Sequence, residues 1–150
     1  MDKQGGFLIS QISKLSARIF EKMLRESGVE AFNGAQGRIL FVLWQEPQLS
    51  ITEIAQKTSL AKTSLTSMLD RMEESGLIIK ETDPANRRQV NVCITKKAKA
   101  YQSEYDAVSQ RMNALFYEGF SPDEIAAFEQ KLYRIKQNLE SGWNHECKNQ

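Results

Sequence analysis

The chain has 150 residues, of which 41% are hydrophobic and 26% charged, and its formal net charge is +1. This composition is typical of one globular domain with helical extensions, and 8 glycines with 3 prolines exclude collagen-like and low-complexity chains. The longest apolar run, from Ile39 to Trp44, is far shorter than the roughly 20 residues that a membrane helix needs.

The first two predicted elements are helices. Residues 7–27 carry an apolar residue at every third or fourth position, which places these side chains on one helical face, and Gly28 follows as a stop. A second helix is predicted from Asn33, whose side chain can cap exposed amides, to about Gln45, before Pro47. The apolar positions are Leu8, Ile12, Leu15, Ile19 and Met23, then Ile39, Leu40, Leu43 and Trp44.

The middle of the chain predicts two short helices followed by a hairpin. The helices cover 51–58 and 62–75, and two strand-like runs, 77–82 and 90–95, flank a loop with turn residues. This order is that of a winged helix-turn-helix, so we predict a mainly helical α+β fold with this domain at 35–97. Its predicted core is Ile51, Ile54, Ala55, Leu60, Leu65, Leu69 and Met72.

Two longer helices are predicted after the hairpin. Thr95 can cap a helix over about 96–118. The segment Ser121–Glu124 combines a capping box, a proline at the first helical position and acidic residues where the helix dipole is positive. It starts a last helix whose heptad-like apolar seam ends near Trp143.

These terminal helices carry more apolar surface than the small middle domain can cover. Helices of about 20 residues reach roughly 30 Å, which is longer than a domain of that size is wide. We therefore predict that residues 1–34 and 98–150 form a helical dimerisation region in a two-fold homodimer. Packing of the same helices against the middle of their own chain is the alternative.

Two features of the middle segment indicate nucleic-acid binding. The start of its second helix, Lys62–Ser67, is rich in short hydroxyl side chains that can reach phosphates or base edges. The range Pro84–Lys99 has five basic residues and no acidic one, and arginine suits phosphates and narrow minor grooves. Residues 51–99 also sum to +3, against +1 for 1–50 and −3 for 100–150. A solvated helix start, or a solvated charged turn, would explain either feature alone, but together they favour DNA.

Five segments between residues 51 and 97 carry a more specific pattern, namely Ile51–Ala55, Ser64–Glu73, Gly76–Ile78, Asp83–Arg88 and Val92–Thr95. In them an Asp-Arg-Met-Glu block precedes an Asp-Pro-Ala-Asn-Arg-Arg loop. On these motifs the chain resembles the MarR family of bacterial winged-helix regulators over nearly its whole length. The resemblance implies a homodimer whose first, fifth and sixth helices interlock. It also implies recognition helices in successive major grooves of a pseudo-palindromic operator, with wings in the flanking minor grooves.

The resemblance also implies which residues contact double-stranded DNA. They are Lys62, Thr63, Ser64, Thr66 and Ser67 at the major groove, Arg71 and Arg38 at the DNA backbone, and Arg87 or Arg88 in the wing. An acidic residue at the base of the wing often pairs with the wing arginine in this family. Asp83 or Asp70 is therefore expected to orient it.

The sequence departs from the family pattern at four positions. Ser67 stands where many members carry arginine, and Asn86 replaces a common wing aspartate. Ser59 replaces the frequent turn glycine, and Ala61 replaces the frequent helix cap. These departures predict a locally looser helix-turn-helix and leave the operator sequence and affinity open.

Members of the family often release DNA when a small aromatic or anionic compound binds between their dimerisation and DNA-binding regions. The resemblance therefore implies such an effector, although the sequence assigns no ligand residues. The aromatic residues that could line a pocket are Phe7, Phe20, Trp44, Tyr101 and Tyr105. Core packing is the more usual role for each of them.

Cysteine and histidine usage argues against metal or redox chemistry. Two cysteines, Cys93 and Cys147, are too few for a disulfide framework and are interpreted as structural or incidental thiols in a reducing compartment. With His145 as the single histidine, we expect no metal site and no cofactor. The polar N-terminus does not resemble a secretory signal, so we expect a cytoplasmic protein with no membrane partner.

The sequence therefore predicts a dimeric, sequence-specific DNA-binding transcriptional regulator, most simply a repressor relieved by a small molecule. The alternative is a winged-helix protein-interaction module without DNA binding, supported by Ser67 and by the acidic C-terminal third. An enzyme is not expected, because the chain has no phosphate-binding loop and no motif typical of a catalytic nucleophile.

Overall fold

A computed structural model describes residues 2–148, with positions 145–147 described by their backbone alone. The elements are α1 (Gly5–Glu26), α2 (Gly34–Gln45), β1 (Gln48–Ser50), α3 (Ile51–Thr58), α4 (Lys62–Glu74), β2 (Ile78–Thr82), β3 (Val90–Ile94), α5 (Lys96–Lys99), α6 (Gln102–Phe116) and α7 (Pro122–Lys148). The predicted winged helix-turn-helix is confirmed, with α3 and α4 as the helix pair and β2–β3 as the wing. Within residues 2–148, no helix is both long enough and apolar enough to span a membrane.

The chain forms two compact units, the first ending at Met112 and the second beginning at Asn113. The winged domain lies within the first unit, together with α1 and most of α6. The predicted assignment of 1–34 and 98–150 to a dimerisation region, and of 35–97 to the DNA-binding domain, stays a prediction.

The wing contains a third strand that the sequence pattern did not predict. Both β1 and β2 pair antiparallel with β3, in the order β1-β3-β2. Leu49 of β1 lies opposite Val92, and Ile78 of β2 lies opposite Ile94. β1 joins the start of α3 to the base of the wing, because Ser50 ends this strand and caps that helix.

The core of the first unit is built from every one of its longer elements. Its largest fully buried side chains are Leu24, Val29, Ile39, Leu40, Leu43, Leu49, Ile54, Leu65, Leu69, Met72, Leu77 and Ile78. The seven predicted core residues of the helix-turn-helix all lie in this cluster or pack against it. Each large aliphatic side chain buried in this way contributes about 1.5–3 kcal/mol.

Helix starts follow the predicted capping rules. Asn33 accepts from the Gln36 amide at 2.9 Å and donates its own amide to Gln36 Oε1 at 3.1 Å, which starts α2. In α7, the Glu124 amide donates to Ser121 Oγ at 3.2 Å, as the sequence predicted. A further box in α3 was not predicted, and in it the Ser50 amide donates to Glu53 Oε1 at 3.1 Å.

The predicted helix over 96–118 is wrong, because two helices replace it. Thr95 caps α5 by accepting from the Ala98 amide at 3.3 Å, but α5 ends at Lys99 and α6 begins at Gln102. At the break, the Ala98 carbonyl accepts from the Tyr101 amide at 3.2 Å and from Trp44 Nε1 at 3.0 Å. In a regular α-helix the Ala98 carbonyl would accept from the Gln102 amide. Here it accepts from Tyr101, which makes a tighter turn, and from Trp44 of α2, which links the break to that helix.

The second unit has its own aromatic cluster. The ring of Tyr117 packs against Phe116, Phe120 and Phe128, and its hydroxyl donates to Glu129 Oε1 at 2.8 Å. Burial is the main cause that raises the pKa of Tyr117. This cluster connects the end of α6 to α7 across the turn at Gly119, whose φ of 83° suits glycine.

Both terminal helices keep apolar residues exposed in the single chain. The exposed residues of α1 are Phe7, Leu8, Ile9, Ile12 and Leu15, and those of α7 are Tyr133, Ile135, Leu139 and Trp143. Exposure runs from 43% at Ile9 to 68% at Trp143. Several exposed large apolar side chains on one helix are typical of an interaction site.

Candidate nucleic-acid interface

The start of α4 presents its polar residues to solvent because its apolar residues hold the opposite face in the core. Leu65, Leu69 and Met72 are 0% exposed and follow helical spacing. The predicted groove residues Lys62, Thr63, Ser64, Thr66 and Ser67 are all exposed on the same helix. The structure therefore brings these five together on one surface.

One of the hydroxyl groups on this surface already has a partner. Thr66 Oγ1 donates to the Lys62 carbonyl at 2.9 Å. Its hydrogen is therefore engaged within the helix, while the oxygen lone pairs can still accept from a base amino group. Thr66 is thus suited to read an amino group of adenine or cytosine, or to contact a thymine methyl group.

The turn between α3 and α4 carries two of the sequence departures. Ser59 has φ 57° and ψ 23°, the left-handed conformation that glycine adopts more easily. Ala61 stands at the N-cap of α4, where no side chain caps the helix. Thr58 links the end of α3 to the turn, since its hydroxyl donates to the Ile54 carbonyl at 2.6 Å and accepts from the Leu60 amide at 3.4 Å.

Two short polar side chains shape the tip of the wing. Asp83 Oδ1 accepts from the Ala85 amide at 2.8 Å, and Asn86 Oδ1 accepts from the Arg88 amide at 3.1 Å. Both are side-chain turns that add to the backbone hydrogen bonds of the loop, such as the one from the Asp83 amide to the Gln89 carbonyl at 2.9 Å. The side chains of Arg87 and Arg88 are exposed on this tip. Asn86 therefore has a structural role in the loop, although it replaces the aspartate common in the family.

A groove of about 570 Å³ lies between the start of α3, the start of α4 and the wing. Lys62 and Arg88 both line it, together with Thr52 and the acidic Glu53 of α3 and Gln89 of the wing. Two cations from different elements therefore face one concave surface. These two cations can contact the phosphate backbone of a duplex, whereas the Glu53 carboxylate, which accepts from the Ser50 amide, disfavours a phosphate on its side of the groove.

The two aspartates expected to orient the wing arginine lie in different places. Asp83 acts through the backbone of the wing turn. The Asp70 carboxylate accepts from Lys80 Nζ on β2, so the structure does not bring Asp70 to Arg87 or Arg88. The hydrogen bond to Asp70 is the main cause that raises the pKa of Lys80. Sequence reasoning missed Lys80, because no local pattern links a strand lysine to an acidic residue on the preceding helix.

Two predicted backbone contacts are more distant from this surface. Arg71 is exposed in the last turn of α4. Arg38 lies on α2 and lines a separate cavity of about 670 Å³, which is also lined by Phe20 of α1 and Tyr105 of α6. In this cavity wall, Glu21 Oε2 accepts from the Gly34 amide at 2.7 Å.

Of the five aromatic residues considered for a pocket, two line this cavity, namely Phe20 and Tyr105. Burial is the main cause that raises the pKa of Tyr105 above that of an ordinary tyrosine. Trp44 and Tyr101 pack against the core, as expected for most buried aromatics, whereas Phe7 is 65% exposed.

The described cysteine has the features of an unreactive thiol. Cys93 is half-buried on β3, and burial, followed by the charge of Glu81, raises the pKa of its thiol. A raised pKa lowers the thiolate fraction at neutral pH, which disfavours oxidation chemistry. The side chains of Cys147 and His145 lie outside the described part of the chain. Within that part, no group of three or more metal-binding side chains occurs.

A family model and several curated relatives match this chain. The model of the MarR family matches residues 32–90. YkoM of Bacillus subtilis, named an uncharacterized HTH-type transcriptional regulator, is 26% identical over 71% of this chain and 69% of its own length. TtmR of Methylorubrum extorquens, an HTH-type transcriptional regulator, is 30% identical over 67% of this chain and 51% of its own. The matched part of the chain thus spans between about half and about two thirds of the length of these curated relatives.

Solved structures share the fold. BpsR of Bordetella bronchiseptica, whose DNA binding is regulated by 6-hydroxynicotinic acid, has a TM-score of 0.79 at 22% identity, covering 89% of this chain and 99% of that one. A mutant of MarR from E. coli complexed with operator DNA has a TM-score of 0.77 at 24% identity, covering 87% and 91%. The segment that matches the model of the MarR family, residues 32–90, holds the helix-turn-helix and the wing as far as the start of β3, so this part of the chain is similar to that family.

Proposed function

We propose that the chain is a dimeric, sequence-specific DNA-binding transcriptional regulator, a repressor that a small molecule releases from its operator. The observation that carries this function is the shared surface of the α4 start and the wing. There, five exposed polar side chains of α4 adjoin a groove lined by Lys62 and Arg88. The names of the curated relatives and the operator complex of E. coli MarR support the same function.

In this proposal α4 enters the major groove with its N-terminal turn leading. The exposed hydroxyl groups of Thr63, Ser64 and Ser67 are short enough to allow close approach to base edges and phosphates. Lys62 contacts a phosphate at the mouth of the groove shared with the wing. Because Ser67 lacks the reach and charge of an arginine, specificity rests on the hydroxyl groups more than on a bidentate guanine contact.

The wing supplies charge rather than base-specific hydrogen bonds. Arg87 and Arg88 are exposed at the tip of the loop, which Asp83 and Asn86 hold in shape through backbone contacts. A guanidinium group at such a tip suits a narrow minor groove, where the negative potential is strongest. Arg71 and Arg38 stay predicted contacts to the DNA backbone.

The dimer is proposed from the apolar faces of α1 and α7, which one chain leaves exposed. A two-fold assembly buries both faces at once and presents two copies of α4 to one duplex. The two copies of α4, separated by one turn of the DNA double helix or roughly 34 Å, would then contact the two halves of a pseudo-palindromic operator. A protein acting on such an operator would work in the cytoplasm, and this mode of action requires no catalytic residue.

The effector is proposed to bind the cavity of about 670 Å³ between α1, α2 and α6. Its size lies within the usual range for small-molecule sites, at roughly 300–1,000 Å³. Phe20 and Tyr105 can stack on an aromatic ring, and the Arg38 guanidinium can bind an anionic group. Glu21 of this wall holds the start of α2, so an occupant can change the packing of α1 on α2.

Selection of duplexes from a random pool tests the DNA-binding function. A pool of duplexes with a random segment of roughly 30 base pairs is long enough to contain two half-sites that lie one turn of DNA apart. We expect the full-length protein to enrich a two-fold repeat, with a slope of log affinity against log salt of about −7 if the dimer makes roughly eight phosphate contacts. Failure to enrich any sequence would overturn the proposal and favour the protein-interaction module.

The effector is tested with 6-hydroxynicotinic acid as the probe and 2-hydroxypyridine, which lacks the carboxylate, as its control. We expect the acid alone to release the selected duplex, and Arg38→Gln to abolish this release. If Arg38→Gln instead weakens DNA binding without any compound, the predicted backbone contact of Arg38 is supported. No release by either compound would contradict an aromatic-acid effector of this class.

A further inference from the structure

A cluster of three charged side chains connects α4 to the wing. It consists of Lys80, Asp70 and Glu73 and is called here the Lys80 clamp. Lys80 lies on β2, and its Nζ donates to Asp70 Oδ1 on α4 and lies 3.8 Å from Glu73 Oε1. The backbone amide of Lys80 also donates to Glu73 Oε2 at 2.8 Å. The two elements are therefore connected both through the side chain and through the backbone of one residue.

The lysine of the clamp is more sheltered from solvent than the lysines of the other ion pairs among the described residues, although Asp70 is 55% exposed, about as much as Glu46 at 54%. The side chain of Lys80 is 24% exposed, whereas Lys57 in its pair with Glu46 is 43% exposed and Lys136 is 65% exposed. Partial shelter reduces screening by water and salt and holds the pair in one geometry. The raised pKa of Lys80, caused mainly by its hydrogen bond to Asp70, agrees with this.

The clamp lies where the relative tilt of the two DNA-facing elements is set. Asp70 and Glu73 are three residues apart, so they lie on one face of α4, C-terminal to the proposed groove residues. β2 leads from Lys80 into the loop that carries Arg87 and Arg88. Three residues of strand span roughly 10 Å, so a tilt of about ten degrees at Lys80 moves the loop by about 2 Å.

We propose that Lys80 is a positioning residue for DNA recognition, which together with Asp70 and Glu73 sets the angle between α4 and the wing so that both fit one duplex. This inference rests on the proposed DNA-binding function. Lys80 acts through α4 and the wing and does not itself contact DNA. Its pairing also neutralises part of the negative charge that Asp70 and Glu73 would otherwise present to a polyanion.

The sign of the effect of Asp70→Asn separates positioning from simple electrostatics. This change removes a negative charge, so electrostatics alone predicts tighter binding of any duplex. Loss of the clamp predicts weaker binding of the selected duplex, by about 10-fold, a size typical of coupled ion-pair changes. Binding of a scrambled duplex of equal length should change by less than about 3-fold, because it depends mainly on total charge.

Lys80→Met, which keeps an unbranched apolar side chain and removes the ammonium group, is the second variant. We expect it to lose about 10-fold in affinity for the selected duplex, and the double variant with Asp70→Asn to be no weaker than Lys80→Met alone. Lys80→Arg, which keeps the charge and the donors, should restore binding. Lys57→Met removes the same charge from an exposed pair in the same unit and serves as the matched control.

Affinities are measured for the full-length protein with a duplex that the wild-type chain selects, and amide hydrogen exchange of residues 82–89 is followed without DNA. We expect faster exchange in Asp70→Asn and Lys80→Met but not in Lys57→Met. Tighter binding by Asp70→Asn, or exchange unchanged in both clamp variants, would overturn the inference while leaving the proposed function intact. If the wild-type chain selects no duplex, the proposed function fails and the inference fails with it.

Discussion

The winged domain and the two terminal helices treat apolar surface differently. In the winged domain, Ile54, Leu65 and Met72 are 0% exposed, and charge lies outside them. On α1 and α7 many large apolar residues are exposed, as Leu139 shows at 68%, whereas in the winged domain Phe41 and Ile79 are the large apolar residues exposed. The difference teaches that the winged domain completes its core within one chain, whereas the terminal helices need a second surface. A homodimer of the kind proposed supplies that surface.

The largest expected effect compares Leu69→Ala with Leu139→Ala. Leu69 is buried within the winged domain, so its truncation should lower the free energy of unfolding by about 2–5 kcal/mol at any protein concentration. Leu139→Ala should have a small effect on a dilute, dissociated chain and a larger one where the dimer forms. Denaturant unfolding at two concentrations, with sedimentation to report the mass, measures both.

The comparison would be contradicted if Leu139→Ala lowered the free energy of unfolding as much as Leu69→Ala at every protein concentration. The apolar face of α7 would then be packed within its own chain. A matched polar change on the same helix, Asn138→Ala, controls for loss of α7 structure, since Asn138 is also exposed.

The next prediction compares the removal of positive charge from the wing with its removal from α7. Replacing Arg87 and Arg88 by alanine should weaken binding of every duplex by on the order of 100-fold, since charge-assisted hydrogen bonds contribute about 1.5–3 kcal/mol each. The salt slope should become less negative by about 0.9 for each lost phosphate contact. Removing two charges from α7, Arg134 and Lys136, should change neither quantity by much. Equal losses in both double variants would mean that binding reflects total charge, against the assigned wing.

The sequence predicted the local features of the winged domain well. The spacing of Leu65, Leu69 and Met72 predicted the buried face of α4, and the Asn33 and Ser121 caps lie where their side chains indicated. These features depend on residues within one or two helical turns. Periodicity and capping chemistry are therefore sufficient to predict them.

What the sequence did not predict depends on contacts between distant residues. β1 has three residues and exists because it pairs with β3, so no alternation could indicate it. The break after α5 depends on Trp44 donating to the Ala98 carbonyl from another helix. The Lys80 clamp likewise joins a strand to a preceding helix. In the candidate site, Lys62 and Arg88 were predicted as DNA contacts and line the groove, whereas Thr52 and Gln89 line it without having been predicted.

A smaller effect is expected at the turn of the helix-turn-helix. Ser59 has φ 57°, a conformation that costs an L-residue about 1–2 kcal/mol and costs glycine little. Ser59→Gly should therefore raise the free energy of unfolding by about 1 kcal/mol, after the greater flexibility of the unfolded chain is subtracted. Ser75→Gly, at a C-cap with φ −79°, should give no such gain. A loss of stability in Ser59→Gly would show that the serine side chain holds the turn.

The smallest effect is a pH dependence in the capping box of α3. The Ser50 backbone amide, followed by its hydroxyl, lowers the pKa of Glu53 below its usual range. A lowered pKa means that the charged cap adds stability above the pKa of Glu53 in the unfolded chain, and that this is lost as pH falls through the lower pKa of the folded state. Wild type should therefore exceed Glu53→Gln in melting temperature at neutral pH, and the difference should vanish in acid. A difference that persists unchanged in acid would mean that the shape of the side chain, rather than its charge, caps α3, and that the winged domain draws no stability from this carboxylate.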